Sequence, residues 1–346
     1  MPSDLADRAA LLRTLRLAHG LTQVDLAQVT GVSQAALSKA ERGREDLEAD
    51  RWATLERALA VPAGTLIDAP GLPTDARIFH RRQKTTPETA LKRVRAELDL
   101  VSLRMGGLLG ESVPPLQLRR HPVPDDGFDT PADIAAMVRR DLNLPDGPIL
   151  DLVAVAEDAG IVIVTADLDS VQVDAIAGWP EQASPIILVS RHASAERQRF
   201  TVAHELGHAV MHSAEPSPSH EHEADAFASA FLIPASSFRN DWAGSDLDAL
   251  LRLKRHWRVS LAAVIRRAFD LDLISDREYR SLNVTLATTG MRRREPEPLP
   301  VEKPHMLRRV VDDALKRGAT LSQLAHNAYM LEPEFRATFL EEQADA

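Results

Sequence analysis

The chain has no cysteine. That absence excludes a disulfide framework, thiolate-bound zinc, iron–sulfur clusters and thiol catalysis together, so any metal site must be built from His, Asp and Glu. Nor does any hydrophobic run approach the roughly 20 residues that a membrane span requires. The N-terminus, Met1 to Arg8, mixes acidic and basic residues where a signal peptide would place a basic start and an apolar core. These absences predict a soluble, cytoplasmic protein that makes no membrane contact. Basic charge is also short: 41 Lys and Arg face 51 Asp and Glu, a formal net charge of −10. Such a balance argues against coating nucleic acid by bulk electrostatics. The deficit is uneven, however. Residues 1–67 carry 8 basic against 9 acidic side chains, residues 68–104 carry 8 against 5, and residues 105–346 carry 25 against 37.

At roughly 150 residues per domain, 346 residues predict two or three domains. Leu5 to Ile67 is dense in helix formers, lacks proline until Pro62, and is cut by Gly20, Gly31 and Gly43 into four or five short helices. Two prolines and a glycine follow between Asp68 and Pro73, then the basic stretch Arg77 to Lys84, then a long helical pattern from Pro87 to Leu109. A second break around Val113 and again at 119–127 precedes helices near Pro131–Leu142 and Ile149–Ala159. Beyond Gly160 the period changes. Ile161–Val164, Val173–Trp179 and Pro185–Val189 are short β-branched runs that predict three strands. Helices return at Arg197–Ser213, Glu221–Leu232, Asp246–Trp257, Ser260–Phe269 and Asp276–Ala287; residues 290–304, with Arg292 to Arg294 and four prolines, read as a third linker before a helical end. The expected fold class is α+β, mostly α, with residues 1–68 an all-helical domain, 69–127 a linker and connecting helix, 128–290 a domain with a small three-stranded sheet, and 291–346 a linker and helical C-terminal segment.

Leu21 to Gly43 (LTQVDLAQVTGVSQAALSKAERG) carries two helix starts in register. Thr22 and Ser33 are N-cap residue types, Gly31 can adopt the left-handed turn between them, and Leu26, Ala27, Val32 and Leu37 supply small, apolar contacts for two helices crossing steeply. That is helix-turn-helix geometry, and it presents the second helix to a DNA major groove. Gln34, Ser38 and Lys39 on that helix, Ser33 at its start and Gln23 at the start of the first helix are the candidate DNA-binding residues. A domain of net −1 is a weak electrostatic footprint. The blander alternative is therefore a helical module for dimerisation or partner docking.

Phe200 to His208 (FTVAHELGH) places His204 and His208 four residues apart, so both imidazoles leave one helix face and can grip one metal. Glu205, beside the first, is the candidate general base. A third ligand from a continued His pattern is absent, because Met211 and Ala214 stand where Gly and His would be needed. Instead Glu221 to Asp225 (EHEAD) opens the next helix, 13 residues after His208. Glu221 is the expected third ligand of a His2Glu site with one zinc per chain and water in the fourth place. It leaves Asp225 one turn on along the same face, able to accept a hydrogen bond from a ligand imidazole. Glu223 is the alternative ligand, and it lies about 160° round the helix from Asp225. His212 is the candidate for oxyanion stabilisation or another auxiliary part, with His220, His222 and Tyr279 weaker candidates. A metal site kept for structure or regulation alone is the competing reading.

With both motifs in place, the chain resembles the XRE-type helix-turn-helix branch of the ImmA/IrrE family of metallopeptidases. The likeness rests on the two motifs and on Phe79 to Arg82, Leu144 to Pro148 (LPDGP), Arg199 to His208, Glu221 to Ala228 with Phe231 to Pro234, and Arg258 to Arg267. Ile233 stands where the family commonly has Met. The resemblance implies a zinc endopeptidase that relieves repression by cutting a helix-turn-helix repressor after stress or in a phage setting, fused here to its own reader of operator DNA. A homodimer is a further expectation. The competing functions are a repressor or antitoxin whose zinc domain is sensory or structural, and a peptidase whose N-terminal domain only docks a protein substrate. Arg317 to Phe335 is similar to the family's C-terminal helical segment; Thr320 or Ser322 could cap a second helix-turn-helix-like unit there, the alternative being a lid or dimer contact.

Overall fold

The computed structural model describes residues 4–72, 77–82, 87–109, 115–123, 129–168, 173–180, 184–212 and 217–341, the strand at 77–82 by its backbone alone. The side chains of Arg77, Arg81 and Arg82, all of Lys84, and the break residues Val113 and Asp125 to Gly127 lie outside the described residues.

Five helices form the N-terminal unit: α1 (Leu5–Ala18), α2 (Gln23–Thr30), α3 (Gln34–Ala40), α4 (Ala49–Ala58) and α5 (Thr65–Asp68). Local chemistry sets their ends. Thr22 caps α2 in a reciprocal box with Asp25, Gly31 ends it in the left-handed conformation at φ 73°, and Ser33 caps α3 through the amide of Ala36. Leu12, Leu15, Leu26, Leu37, Trp52 and Leu55 fill the core. One buried ion pair locks it: the Arg16 guanidinium grips Glu41 at 2.5 and 2.7 Å and also donates to the Leu21 carbonyl at 2.8 Å.

A four-stranded sheet lies at the centre of the rest, with β1 (Arg77–Arg82), β2 (Val162–Ala166), β3 (Val173–Trp179) and β4 (Ile186–Ser190) in the order β1-β3-β4-β2. β2 and β4 are parallel with Val162 opposite Ile186; β3 runs antiparallel to β4, with Ala177 opposite Ile187. The three strands read from the sequence are present within two residues. The fourth comes from the segment read as linker, where Phe79 sits opposite Ala177. Its charged composition disguised it, because charged residues are ordinary on a sheet edge.

Side chains alternate between two faces of this sheet. Ile163, Ala175, Ala177, Ile187 and Val189 join one core with α7 (Pro131–Asp141), α8 (Leu152–Asp158), α9 (Ala195–Met211), α10 (Pro218–Leu232), α11 (Ala235–Asp241), α12 (Leu247–Trp257), α13 (Leu261–Asp270) and α14 (Asp276–Thr288). Val162, Val173, Ile176, Ile186 and Leu188 join a second core with α6 (Glu88–Leu109), α15 (Met306–Lys316), α16 (Leu321–Asn327) and α17 (Glu332–Phe339). The C-terminal helices therefore cover the sheet's second face. Thr320 caps α16 in a box with Gln323. None of the described helices is long and apolar enough to cross a membrane.

Buried charges hold the irregular segments. Arg139 donates to the carbonyls of Phe231, Pro145 and Gly147, tying the LPDGP loop to the end of α10. The proline-rich stretch 291–304 is also fixed. Glu295 accepts from the wholly buried Lys254 and from the Leu261 amide, while Glu302 pairs with Arg199 of α9 and accepts from the Leu152 and Val153 amides. Just beyond, Glu157 of α8 accepts from the His305 and Met306 amides at the start of α15.

Candidate metal centre

Helix α9 begins at Ser194, whose hydroxyl accepts from the Arg197 amide, and nearly every residue of the helix is buried. A sequence so rich in His, Glu, Thr and Arg is not buried by hydrophobicity alone. Small residues let its neighbour come close: a Cβ at Gly207 would lie 2.9 Å from the Phe227 ring of α10. Ala203, Ala224 and Ala228 are buried alongside. Helix α10 starts from a Ser217 cap with Pro218 at its first position, which puts Glu221 in the first turn, facing α9.

His204, His208 and Glu221 converge, each offering one ligand atom. The Nε2 atoms of His204 and His208 are 3.0 Å apart, and the Glu221 carboxylate lies 3.4 Å from the first and 3.3 Å from the second. A tetrahedral ion bound at about 2.0–2.1 Å by N and O ligands separates them by about 3.3–3.4 Å; the two nitrogens approach that spacing, and each faces a different oxygen of Glu221, Oε2 toward His204 and Oε1 toward His208. Both histidines are about 1% exposed, whereas the Glu221 side chain is 37% exposed. The cluster thus opens to solvent on its carboxylate side. Burial acts to raise the Glu221 pKa, but hydrogen bonding and positive charge from His204 and His208 outweigh it and hold the carboxyl well below its usual range.

The outer nitrogens are occupied differently. His204 Nδ1 is 2.9 Å from Asp225 Oδ1, the contact expected of Asp225. His208 Nδ1 is 2.9 Å from Nδ1 of His212, whose Nε2 is in turn 2.9 Å from Glu223. His212 and Glu223 therefore lie behind His208, on the opposite side of its ring from the Nε2 atoms that converge. Burial lowers His212 to about 4, against the pull of Glu223 and with the further push of His208 and His220. His220 stacks on His212 at 4.3 Å between centroids. The sequence named His212, His220 and Glu223 but could not place them, because their spacing fits several faces. Glu205, on α9 beside His204, is fully buried. Tyr279 stacks on Phe269 at 4.4 Å, on helices α14 and α13. A broad surface concavity of about 2620 Å³ adjoins α10 at His222 and Asp225 and is also lined by Phe200 and Arg292 to Arg294.

In the N-terminal unit, Gln23 and Gln34 are joined by a 3.0 Å hydrogen bond, and Gln23 also donates to the buried Glu41 at 2.9 Å. Ser33 is engaged as a cap, Ser38 is partly exposed, and Lys39 is exposed and pairs with Glu45 at 2.8 Å. The coupling of Arg16, Glu41, Gln23 and Gln34 fixes the start of α2 against the start of α3. No pairwise spacing revealed it, since it links three separate helices.

Comparison with known families finds two matches. Residues 12–66 match a helix-turn-helix family of XRE type, and residues 156–269 match the IrrE N-terminal-like domain of the M78 peptidase family. No curated protein matches the chain.

Proposed function

Taking as premise a chain that joins an XRE-type helix-turn-helix to an IrrE N-terminal-like peptidase domain, we propose that it is a zinc-dependent endopeptidase and transcriptional regulator that cleaves a protein substrate, a helix-turn-helix repressor, in the cytoplasm. The observation that carries this reading is the convergence of His204, His208 and Glu221 from two helices fixed by packing. An open carboxylate side favours catalysis over structure, since structural zinc sites are closed by four protein ligands.

In this reading His204 and His208 bind through Nε2, and Asp225 accepts the Nδ1 proton of His204, holding that ring in the ligating tautomer. A zinc ion held by His204, His208 and Glu221 would supply Lewis acidity to the scissile carbonyl and to a water molecule. Glu205 takes the proton of the attacking water on its carboxylate and returns it to the leaving amide nitrogen, so no covalent enzyme intermediate forms. The helix-turn-helix brings the peptidase to operator DNA through α3, with Ser38 and Lys39 on its outer surface. Charge on this unit is near balance, so binding relies on two copies sharing an operator.

Glu205→Gln tests the assignment. The variant should retain one zinc per chain by elemental analysis. Mass spectrometry of new N-termini in cells should find cleavage products with the active chain that are missing with the variant. Identical sets of products would sink the peptidase reading.

A further inference from the structure

The two histidines of the cluster are supported unequally. His204 meets a carboxylate directly, whereas His208 meets a second imidazole that then meets a carboxylate. Proton accounting fixes the direction of that second chain. A His208 that ligates through Nε2 carries its proton on Nδ1 and must donate it. The acceptor 2.9 Å away is His212 Nδ1, which therefore bears a lone pair. Neutral His212 then carries its own proton on Nε2 and donates it to Glu223 at 2.9 Å. Every donor in the sequence Glu223, His212, His208 finds an acceptor, and the opposite assignment leaves two Nδ1 protons facing each other.

From this arrangement we infer that His212 and Glu223 are positioning residues for the metal centre, a carboxylate–imidazole relay that fixes the tautomer and ring orientation of His208. The inference rests on the metal-centre part of the proposed function and gives Glu223 a task other than ligation. Three features hold the relay in place. His212 is about 4% exposed, it follows α9 directly with its amide bonded to the His208 carbonyl, and the His220 ring stacks on it from the start of α10. Both ends of the relay are thus anchored to the two helices that carry the ligands. A water in place of His212 would satisfy the Nδ1 proton but could not resist rotation of the His208 ring, whereas a packed and stacked imidazole does so. The charge on Glu223, transmitted through two aligned N–H groups, also makes the His208 Nε2 lone pair a better donor.

The test uses the full chain and zinc itself. Competition against a chromophoric chelator should show zinc held more weakly by about 10-fold or more in Glu223→Ala, with a smaller loss in Glu223→Gln, which keeps an acceptor oxygen without the charge. Both variants should still bind one zinc at saturation and unfold at the wild-type temperature when metal-free. Selectively ¹⁵N-His-labelled, zinc-loaded protein should show His208 protonated on Nδ1 and His212 on Nε2, and the His212 pattern should change in Glu223→Gln. Affinity within twofold of wild type in both variants, or a His212 proton on Nδ1, overturns the relay. Retained zinc in Glu221→Ala with its loss in Glu223→Ala makes Glu223 a ligand and overturns it too. A wild-type chain that binds no zinc overturns the metal-centre reading itself, which separates the two failures.

Discussion

Individual residues in this protein are governed by what surrounds them, and Asp99 shows how far that departs from the sequence. It sits on α6 between the buried Leu98 and Leu100, and burial pushes its carboxyl up to about 6 against the pull of Arg95. An acid whose folded pKa is raised binds protons more tightly in the native state, so stability falls as pH rises from about 4 to about 6 and stays lower above that. Asp99→Asn removes the titration. It should raise stability by about 1–2 kcal/mol at pH 8, a figure reduced for partial solvent exposure, with the gain vanishing below pH 4. Urea unfolding at the two pH values checks this, and an equal effect at both would contradict it. The convergence of His204 and His208 was legible because four-residue spacing on a helix is a geometric statement that survives any environment. Asp225 followed from the same spacing. The contact between His212 and Glu223 was not legible, because it crosses an inter-helix gap set by packing such as that of Gly207 on Phe227.

Among the elements, regular segments announced themselves and irregular ones did not. The caps Thr22, Ser33, Ser260 and Ser275 stand where the sequence starts helices, since capping is local chemistry. The stretch 291–304 reads as linker because its prolines forbid helix, yet they do not forbid burial. Its Glu302 pairs with the Arg199 guanidinium, which also donates to the carbonyls of Ile149 and Arg258. Burial lowers Arg199 to about 10, so it remains charged at neutral pH. Glu302→Ala strands that charge and two α8 amides together, which should cost about 3–5 kcal/mol, while Glu302→Gln should cost less. Arg199 is on α9, five residues before His204, so the same substitution should also raise amide exchange along the start of α9. A change under 1 kcal/mol in urea unfolding would show that the stretch is a tether and nothing more. The edge strand β1 escaped notice for a related reason: pairing to β3 needs only backbone, and the sequence reports side chains.

At the scale of the molecule, the connecting helix does more than connect. Along α6, Val94, Leu98, Met105 and Leu109 enter the core shared with the sheet and C-terminal helices, whereas Leu100 and Leu103 enter the core of the N-terminal unit. Helical periodicity exposes both stripes in the sequence, but it cannot say which partner each one meets. Two more contacts close the joint. A Cβ at Gly107 would collide with the Asn327 carbonyl oxygen at the end of α16, and Tyr329 just beyond packs against the core of the N-terminal unit. The helix-turn-helix unit is therefore seated on the same helix that supports the sheet under the cluster of His204, His208 and Glu221, and its stability depends on residues some 35 positions beyond its own end. Leu103 is 4% exposed, so Leu103→Ala should cost the N-terminal unit about 2–4 kcal/mol. Hydrogen exchange should show amides of α1 to α5 losing protection together, because they share one core, while α9 keeps its protection and zinc affinity stays at the wild-type value. Loss of zinc affinity in this variant would mean that the two cores are one cooperative unit; unchanged protection in α1 to α5 would mean that the unit stands without α6. The expected result lies between these, a mechanically joined pair whose halves unfold separately, and it leaves α6 as the path by which the proposed DNA binding and the proposed proteolysis can influence each other.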